Sequence, residues 1–227
     1  MHSHKIAPAL LEGTKAIIFA EALTQAKLDG MEEVIVLPLF IGPSRAITEY
    51  LPQVFREGNH GTMKLTIRET LYQSGSGEIQ RLLVDNLKSS GWIKGSGTVL
   101  LCDHGSPIKE VTTVRDELAA ALQAELGLAP HDLIACSMER RAGPDYTFNE
   151  PLLATALAEC KGDVVILMLF IQPGRHAGAE GDVATIVNKH APAGVRWKLS
   201  PLLGVHPALP SLLAIRHTAQ RTPRQKD

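Results

Sequence analysis

The sequence predicts an α/β protein of two similar domains, each a parallel sheet flanked by helices, and three observations predict it. Segments of helical character alternate with short apolar runs along the chain, as βαβ units require. The runs themselves, such as VVILMLFI at 164–171, lack the polar alternation of half-buried strands and read as strands covered on both faces. A stretch of helix, tight turn and strand also occurs twice. Residues 18–45 (IFAEALTQAKLDGMEEVIVLPLFIGPSR) resemble 147–175 (TFNEPLLATALAECKGDVVILMLFIQPGR) with one inserted residue. Phe19, Glu21 and Leu23 match Phe148, Glu150 and Leu152, and Leu39, Phe40, Ile41, Pro43 and Arg45 match Leu169, Phe170, Ile171, Pro173 and Arg175. Self-similarity of this kind decides the architecture before any single element does.

The elements of the second copy follow in order. Strands are predicted over 98–102, 133–137, 164–170 and 195–199, and helices over 109–126, 149–159 and about 179–189. Residues 86–97 (NLKSSGWIKGSG) read as the linker between the copies. This gives a first repeat over 1–90, a second over 91–220 and a flexible tail over 221–227, where apolar periodicity is lost. The first copy is short at its start. The second places a strand and helix (97–136) ahead of SMERRAGPDYT, whereas the first opens at the equivalent point with HSHKIAPALLEG. The first domain is therefore expected to lack its N-terminal strand and helix, either lost from the protein or lying upstream of Met1; a parallel sheet missing a member exposes an edge.

Bulk properties exclude several function classes. A net charge of -1 and a pI near 6.8 provide no basic field for nucleic acid. The longest apolar run, 164–171, is less than half of a bilayer span, and the first residues lack the basic and apolar regions of a secretory signal. Cys102, Cys136 and Cys160 are odd in number and show no C-x-x-C spacing, so they are read as reduced core residues of a cytoplasmic protein rather than a disulfide framework.

Chemistry is expected beyond the carboxyl ends of the strands, where ligands bind in open α/β sheets. VLLCDHGSP (99–107) delivers His104 there, and PGRHAG delivers His176, 72 positions later. Either histidine alone is an ordinary polar loop residue. Two at equivalent strand ends form a candidate pair, since imidazoles ligate metals and accept protons. Gly105 and Gly174 would let backbone approach a bulky ligand. Ser106 precedes Pro107, outside any G-x-S-x-G elbow, and its hydroxyl is expected to cap the following helix. Asp103 either orients His104 or faces solvent. Glu139 is placed to offer a carboxylate to a cation or to stand as a charged loop residue. Arg140, Arg141 and Arg175 cluster near the same edge and would suit an acidic substrate, although Arg141 reads as a solvated arginine. The first half has Ala46 where the second has His176. His2 and His4 alternate as strand residues do, but lie at the extreme terminus.

The D-H-G-S turn, the L-F-x-x-P-G-R-H-A-G turn and the duplication together resemble the class II tetrapyrrole chelatases, the sirohydrochlorin cobaltochelatase or ferrochelatase family. The resemblance covers nearly the whole chain in two copies, and Asp103 departs from the Gly or Ala of many relatives. It implies two chelatase-like domains around a tetrapyrrole cleft, and a lyase that inserts a divalent metal, Co2+ or Fe2+, without ATP, for cobalamin or siroheme biosynthesis. The metal is then a substrate and no organic cofactor is implied. Carried over, the family's two active-site histidines correspond to His104 and His176, which are catalytic and hold the metal; the reading of the strand ends adds Glu139 as a third metal ligand. Ser106, Gly174, Arg175 and Arg140 contact the acidic tetrapyrrole. The first half becomes a degenerate copy that shapes the cleft. The tetrapyrrole is the implied partner, with neither nucleic acid nor membrane, and a homo-oligomer is compatible with the sequence. Two other classes fit the same features: a non-catalytic metal or tetrapyrrole carrier, and a two-lobed small-molecule binding module.

Overall fold

The structure, a computed structural model, describes residues 5–11 and 17–218. His2, His4 and the expected tail at 221–227 lie outside the described residues. The chain divides into two compact units. One is formed by the described residues of Met1–Pro38, Pro43–Thr70 and Ile215–Asp227, the other by Leu39–Gly42 and Leu71–Ala214.

In the first unit, α1 (Phe19–Leu28) leads through a left-handed Gly30 into β1 (Glu33–Val36), and a π-helical turn at Ala46–Tyr50 continues into α2 (Leu51–Glu57) before β2 (Lys64–Ile67). β1 and β2 pair in parallel with Glu33 opposite Lys64 and Val36 opposite Ile67. Phe19, Leu23, Leu51 and Met63 are buried together against the strands' partly buried apolar residues.

The second unit holds α3 (Glu78–Ser89), β3 (Gly97–Asp103), α4 (Lys109–Leu126), β4 (Leu133–Ser137), α5 (Leu153–Ala158), β5 (Asp163–Met168), α6 (Asp182–His190), β6 (Arg196–Leu199) and α7 (Leu209–Thr218), the last of which runs on past Ala214. All pairings are parallel, in the order β4-β3-β5-β6. Because successive side chains of a strand point to opposite faces, β3 divides its apolar run between two cores. Val99 and Leu101 pack with α3, α4 and the start of α7 on one face, while Leu100 and Cys102 pack with α5 and α6 on the other. Unbroken apolar strands are the consequence of that two-sided cover. The three cysteines are free and buried, and Cys102 stands in register with Cys136 on β4. The hydrogen bond to Cys136 and burial push the Cys102 thiol well above its ordinary value.

Two expected elements differ. The helix predicted over 149–159 begins only at Leu153, after a 3-10 turn at Pro144–Asn149, because Pro151 has no N–H and excludes Glu150 from helical geometry. Residues 86–89, expected to open a linker, are the last turn of α3. That helix lies within the span expected for the first repeat, yet its Ile79, Leu82, Leu83 and Leu87 are buried in the core shared with β3.

Candidate active site

The carboxyl ends of β3 and β5 are neighbours, with Cys102 opposite Met168 in the register. From β3 the chain steps outward to β4, and from β5 it steps the other way to β6. The strand order therefore reverses between β3 and β5, and crevices for ligands form at such switch points. His104 is the first residue beyond β3, and His176 lies in the loop from β5 to α6. Their rings meet edge to face, with centroids 4.5 Å apart and planes at 70°.

Each ring is oriented through Nδ1. His104 Nδ1 lies 2.9 Å from the Gly105 carbonyl, and His176 Nδ1 lies 2.7 Å from Asp182 Oδ2 at the start of α6. Both partners accept, so Nδ1 carries the proton and Nε2 bears the lone pair of the neutral ring. Orienting the second nitrogen in this way is how proteins present a metal-binding imidazole. His104 Nε2 is 3.6 Å from Glu139 Oε1 beyond β4. The side chains of His104 and His176 remain 45% and 36% exposed, open to an incoming ligand. Among the described residues, no group of three or more His, Cys, Asp or Glu side chains is arranged to hold a metal ion.

Behind the open pair lies a buried polar network. Asp103 Oδ1 accepts from Ser137 Oγ at 2.6 Å and from the Gly105 N–H at 3.1 Å. Arg115, 2% exposed on α4, donates from Nη1 to Ser137 Oγ at 2.6 Å and to the Asn149 carbonyl at 3.1 Å. It also stands 3.9 Å from Asp103 Oδ1. Asn149 in turn grips the backbone of Ser106, its Oδ1 accepting from the Ser106 N–H at 2.9 Å and its Nδ2 donating to the Ser106 carbonyl at 3.0 Å. Burial pushes the Asp103 carboxyl up, against the Ser137 hydrogen bond, the Arg115 charge and the Gly105 N–H, which favour the carboxylate. Asp103 thus faces neither solvent nor the imidazole: it holds the turn in which His104 stands.

Glycine is required at two positions here. Gly105 has φ +88°, and a Cβ on it would collide with the Glu139 carbonyl. That closeness lets the turns after β3 and β4 zip together, Met138 N–H to the Asp103 carbonyl at 2.8 Å and Glu139 N–H to the His104 carbonyl at 3.2 Å. In the second loop the tight glycine is Gly181, whose added Cβ would stand 2.9 Å from the His176 carbonyl, whereas at Gly174 a Cβ would meet nothing within 4 Å. This loop is closed by hydrogen bonds from Asp182 N–H to the Arg175 carbonyl (3.0 Å) and from Val183 N–H to the His176 carbonyl (3.1 Å).

The remaining sequence candidates separate. Ser106 does not cap α4, whose first residue is Lys109 with no side-chain cap; its Oγ accepts from the Ile108 N–H two residues on, at 3.0 Å. Ile108 is extended and occupies the N-cap position, leaving the Ser106 hydroxyl two residues too early to cap. Arg140 is tied to its own loop, donating to Glu150 Oε1 at 2.6 Å and to the Arg141 and Gly143 carbonyls. Arg175 is 84% exposed, its Nε 3.7 Å from Asp182 Oδ2. Asp182, Arg115, Ser137 and Asn149 were not singled out from the sequence. The signal for Arg115 was present: it falls with Leu118, Ala119 and Leu122 on the buried stripe of α4, where spacing calls for an apolar residue.

The CbiX family model matches residues 98–220, more than half of the chain. The chain belongs to the CbiX family. The CbiX match contains the histidine pair, Glu139 and the whole Arg115 network. Solved structures agree on the fold. SirB from Bacillus subtilis with Fe3+ superposes with a TM-score of 0.65 at 17% identity, over 91% of this chain and 78% of that one. The sirohydrochlorin chelatase SirB from Bacillus subtilis subspecies spizizenii in complex with cobalt gives 0.62 at 16% identity, over 91% and 76%. CbiX, the terminal enzyme for biosynthesis of siroheme in denitrifying bacteria, gives 0.62 at 18% identity, over 84% and 77%. No curated protein sequence matches the chain. Among the described residues, no helix is long and apolar enough to cross a membrane.

Proposed function

We propose that this CbiX-family chain is a sirohydrochlorin chelatase, a lyase that inserts Co2+ or Fe2+ into the tetrapyrrole without ATP or an organic cofactor, in cobalamin or siroheme biosynthesis. The observation that carries the reading is the pair of imidazoles at the β3/β5 switch point, 4.5 Å apart and each oriented through Nδ1. Insertion requires a divalent ion to exchange its ligands for four ring nitrogens while two pyrrole N–H protons leave. Two Nε2 lone pairs would hold the ion weakly and, freed as it passes to the ring nitrogens, would accept those protons, joining a templating role to general-base chemistry. Proton transfer by a positioned base contributes about 100- to 10,000-fold in rate. Glu139, beside His104 Nε2, offers a carboxylate to the ion or to a departing proton. Exposed Arg175 answers the substrate's carboxylates, and the turns at Ser106 and Gly174 line its approach. Arg140, paired with Glu150, adds less.

We also infer that the second repeat (91–220) carries the chemistry and the first (1–90) is a degenerate copy. Glu33 and Asp163, which open β1 and β5, keep the spacing of Leu39 and Leu169 in the two copies.

The test is an anaerobic absorbance time course of sirohydrochlorin with Co2+ and with Fe2+, on the wild-type chain, His104→Ala and His176→Ala. Accelerated insertion by the wild type, unchanged by added ATP and lost in both variants, is expected. Binding of ion and tetrapyrrole with insertion at the spontaneous rate would identify a carrier instead, and full activity in both variants would remove the mechanism.

A further inference from the structure

Among the described residues, the one hydrogen bond of the His104 ring goes to the carbonyl of its neighbour Gly105, so the contact that orients the ring belongs to the same turn. Nearly half of the His104 side chain is exposed, so packing does not fix the ring, and its position follows from the backbone of the turn that bears it. That backbone is pinned on both sides. Before His104, Asp103 is held by Ser137 Oγ. After it, Ser106 is gripped through both its N–H and its carbonyl by Asn149, 43 residues away in sequence. One cation joins the two anchors, because Arg115 donates to Ser137 Oγ and to the Asn149 carbonyl. Arg115, Ser137 and Asn149 are each 2% exposed or less. Both contacts leave Nη1, while Nε and Nη2 are each 2.8 Å from Asp116 Oδ1; the planar fork is thus fixed from behind as it bridges, which a lysine ammonium does not reproduce.

We propose that Arg115 is a positioning residue for His104: through Ser137 and Asp103 on one side and Asn149 on the other, its guanidinium sets the place of an imidazole it never touches. This assignment rests on the chelatase reading for its effect on rate, but its effect on the histidine does not. Partners that orient a metal-binding side chain from behind change affinity or activity about 10- to 100-fold when removed. His176 is held separately by Asp182 and meets the network only through its edge-to-face contact with the His104 ring, so it responds second-hand.

The experiment uses the full chain with histidines labelled at Cε1, their signals assigned through His104→Gln and His176→Gln. Arg115→Lys keeps the charge and loses the fork; Asn149→Ala removes one anchor; Ser137→Ala breaks the other, and Ser137→Thr restores its hydroxyl. In metal-free folded protein, the His104 signal is expected to shift or broaden in Arg115→Lys, Ser137→Ala and Asn149→Ala and to recover in Ser137→Thr, with the His176 signal moving less than that of His104. Co2+ insertion is expected to fall about 10- to 100-fold in kcat, with KM for the tetrapyrrole unchanged. An unmoved His104 signal in folded Ser137→Ala overturns the proposal, as does a moved signal with a wild-type insertion rate. If Arg115→Lys or Asn149→Ala fails to fold, the Ser137 pair decides. If the wild-type chain inserts no metal, the chelatase reading fails, while the His104 signals still test the positioning.

Discussion

Asp182 and His176 are joined by a 2.7 Å hydrogen bond between Oδ2 and Nδ1 across the first turn of α6. A carboxylate there sets the tautomer and the orientation of the ring. Asp182→Asn keeps the shape but removes the charge, and is expected to lower metal insertion about 10- to 100-fold with little change in thermal unfolding. Initial-rate measurements on the folded variant check this; an unaltered rate would show that the bond only shapes the loop.

The two glycines named from the sequence are expected to behave differently. Gly105→Ala forces a left-handed backbone and a collision with the Glu139 carbonyl, with strain of about 1–3 kcal/mol before the collision is counted. Gly174→Ala enters open space and should leave unfolding unchanged. Chemical denaturation of the two variants side by side would reveal equal stabilities if the turn after β3 were looser than it is.

Arg175 and Arg140 differ in commitment. Arg175 is exposed, while Arg140 holds Glu150 and two carbonyls. Arg175→Gln is therefore expected to raise KM for an acidic tetrapyrrole, less so at high ionic strength because exposed charges are screened. Arg140→Gln should act on stability instead. A KM effect confined to Arg140 would reverse this assignment.

Leu100 on β3 is fully buried in the core beneath α5 and α6. Leu100→Ala is expected to cost about 2–5 kcal/mol by lost burial and a residual cavity. Denaturant midpoints at constant slope measure it, and a cost well below that range would mean the core collapses around the gap.

The sheet was legible in the sequence because strands covered on both faces have nowhere to place a polar residue, and so β3, β4 and β5 stand out as apolar runs. Where a single residue overrules a pattern, as Pro151 does at the start of α5, periodicity misplaces the boundary. α3 escaped notice for another reason: its last turn falls inside the apparent linker, and nothing local announces that Leu83 and Leu87 belong to the core under β3. His104 and His176 were legible as polar groups at strand ends. Arg115, Ser137 and Asn149 were not, since hydrogen bonds between residues 22 to 34 positions apart leave no trace in spacing, although an arginine on an apolar helical stripe is a signal in itself.

The adjacency of β3 and β5 separates the gauge of the histidine pair from the length of chain between its members. Two helices, two strands and their connections intervene, yet the gap is framed by neighbouring ribbons of one sheet and by hydrogen bonds within each loop. Insertions at the far rim, where those connections turn, would leave that gauge untouched, so the region is free to lengthen or acquire new surfaces while the pair keeps its span.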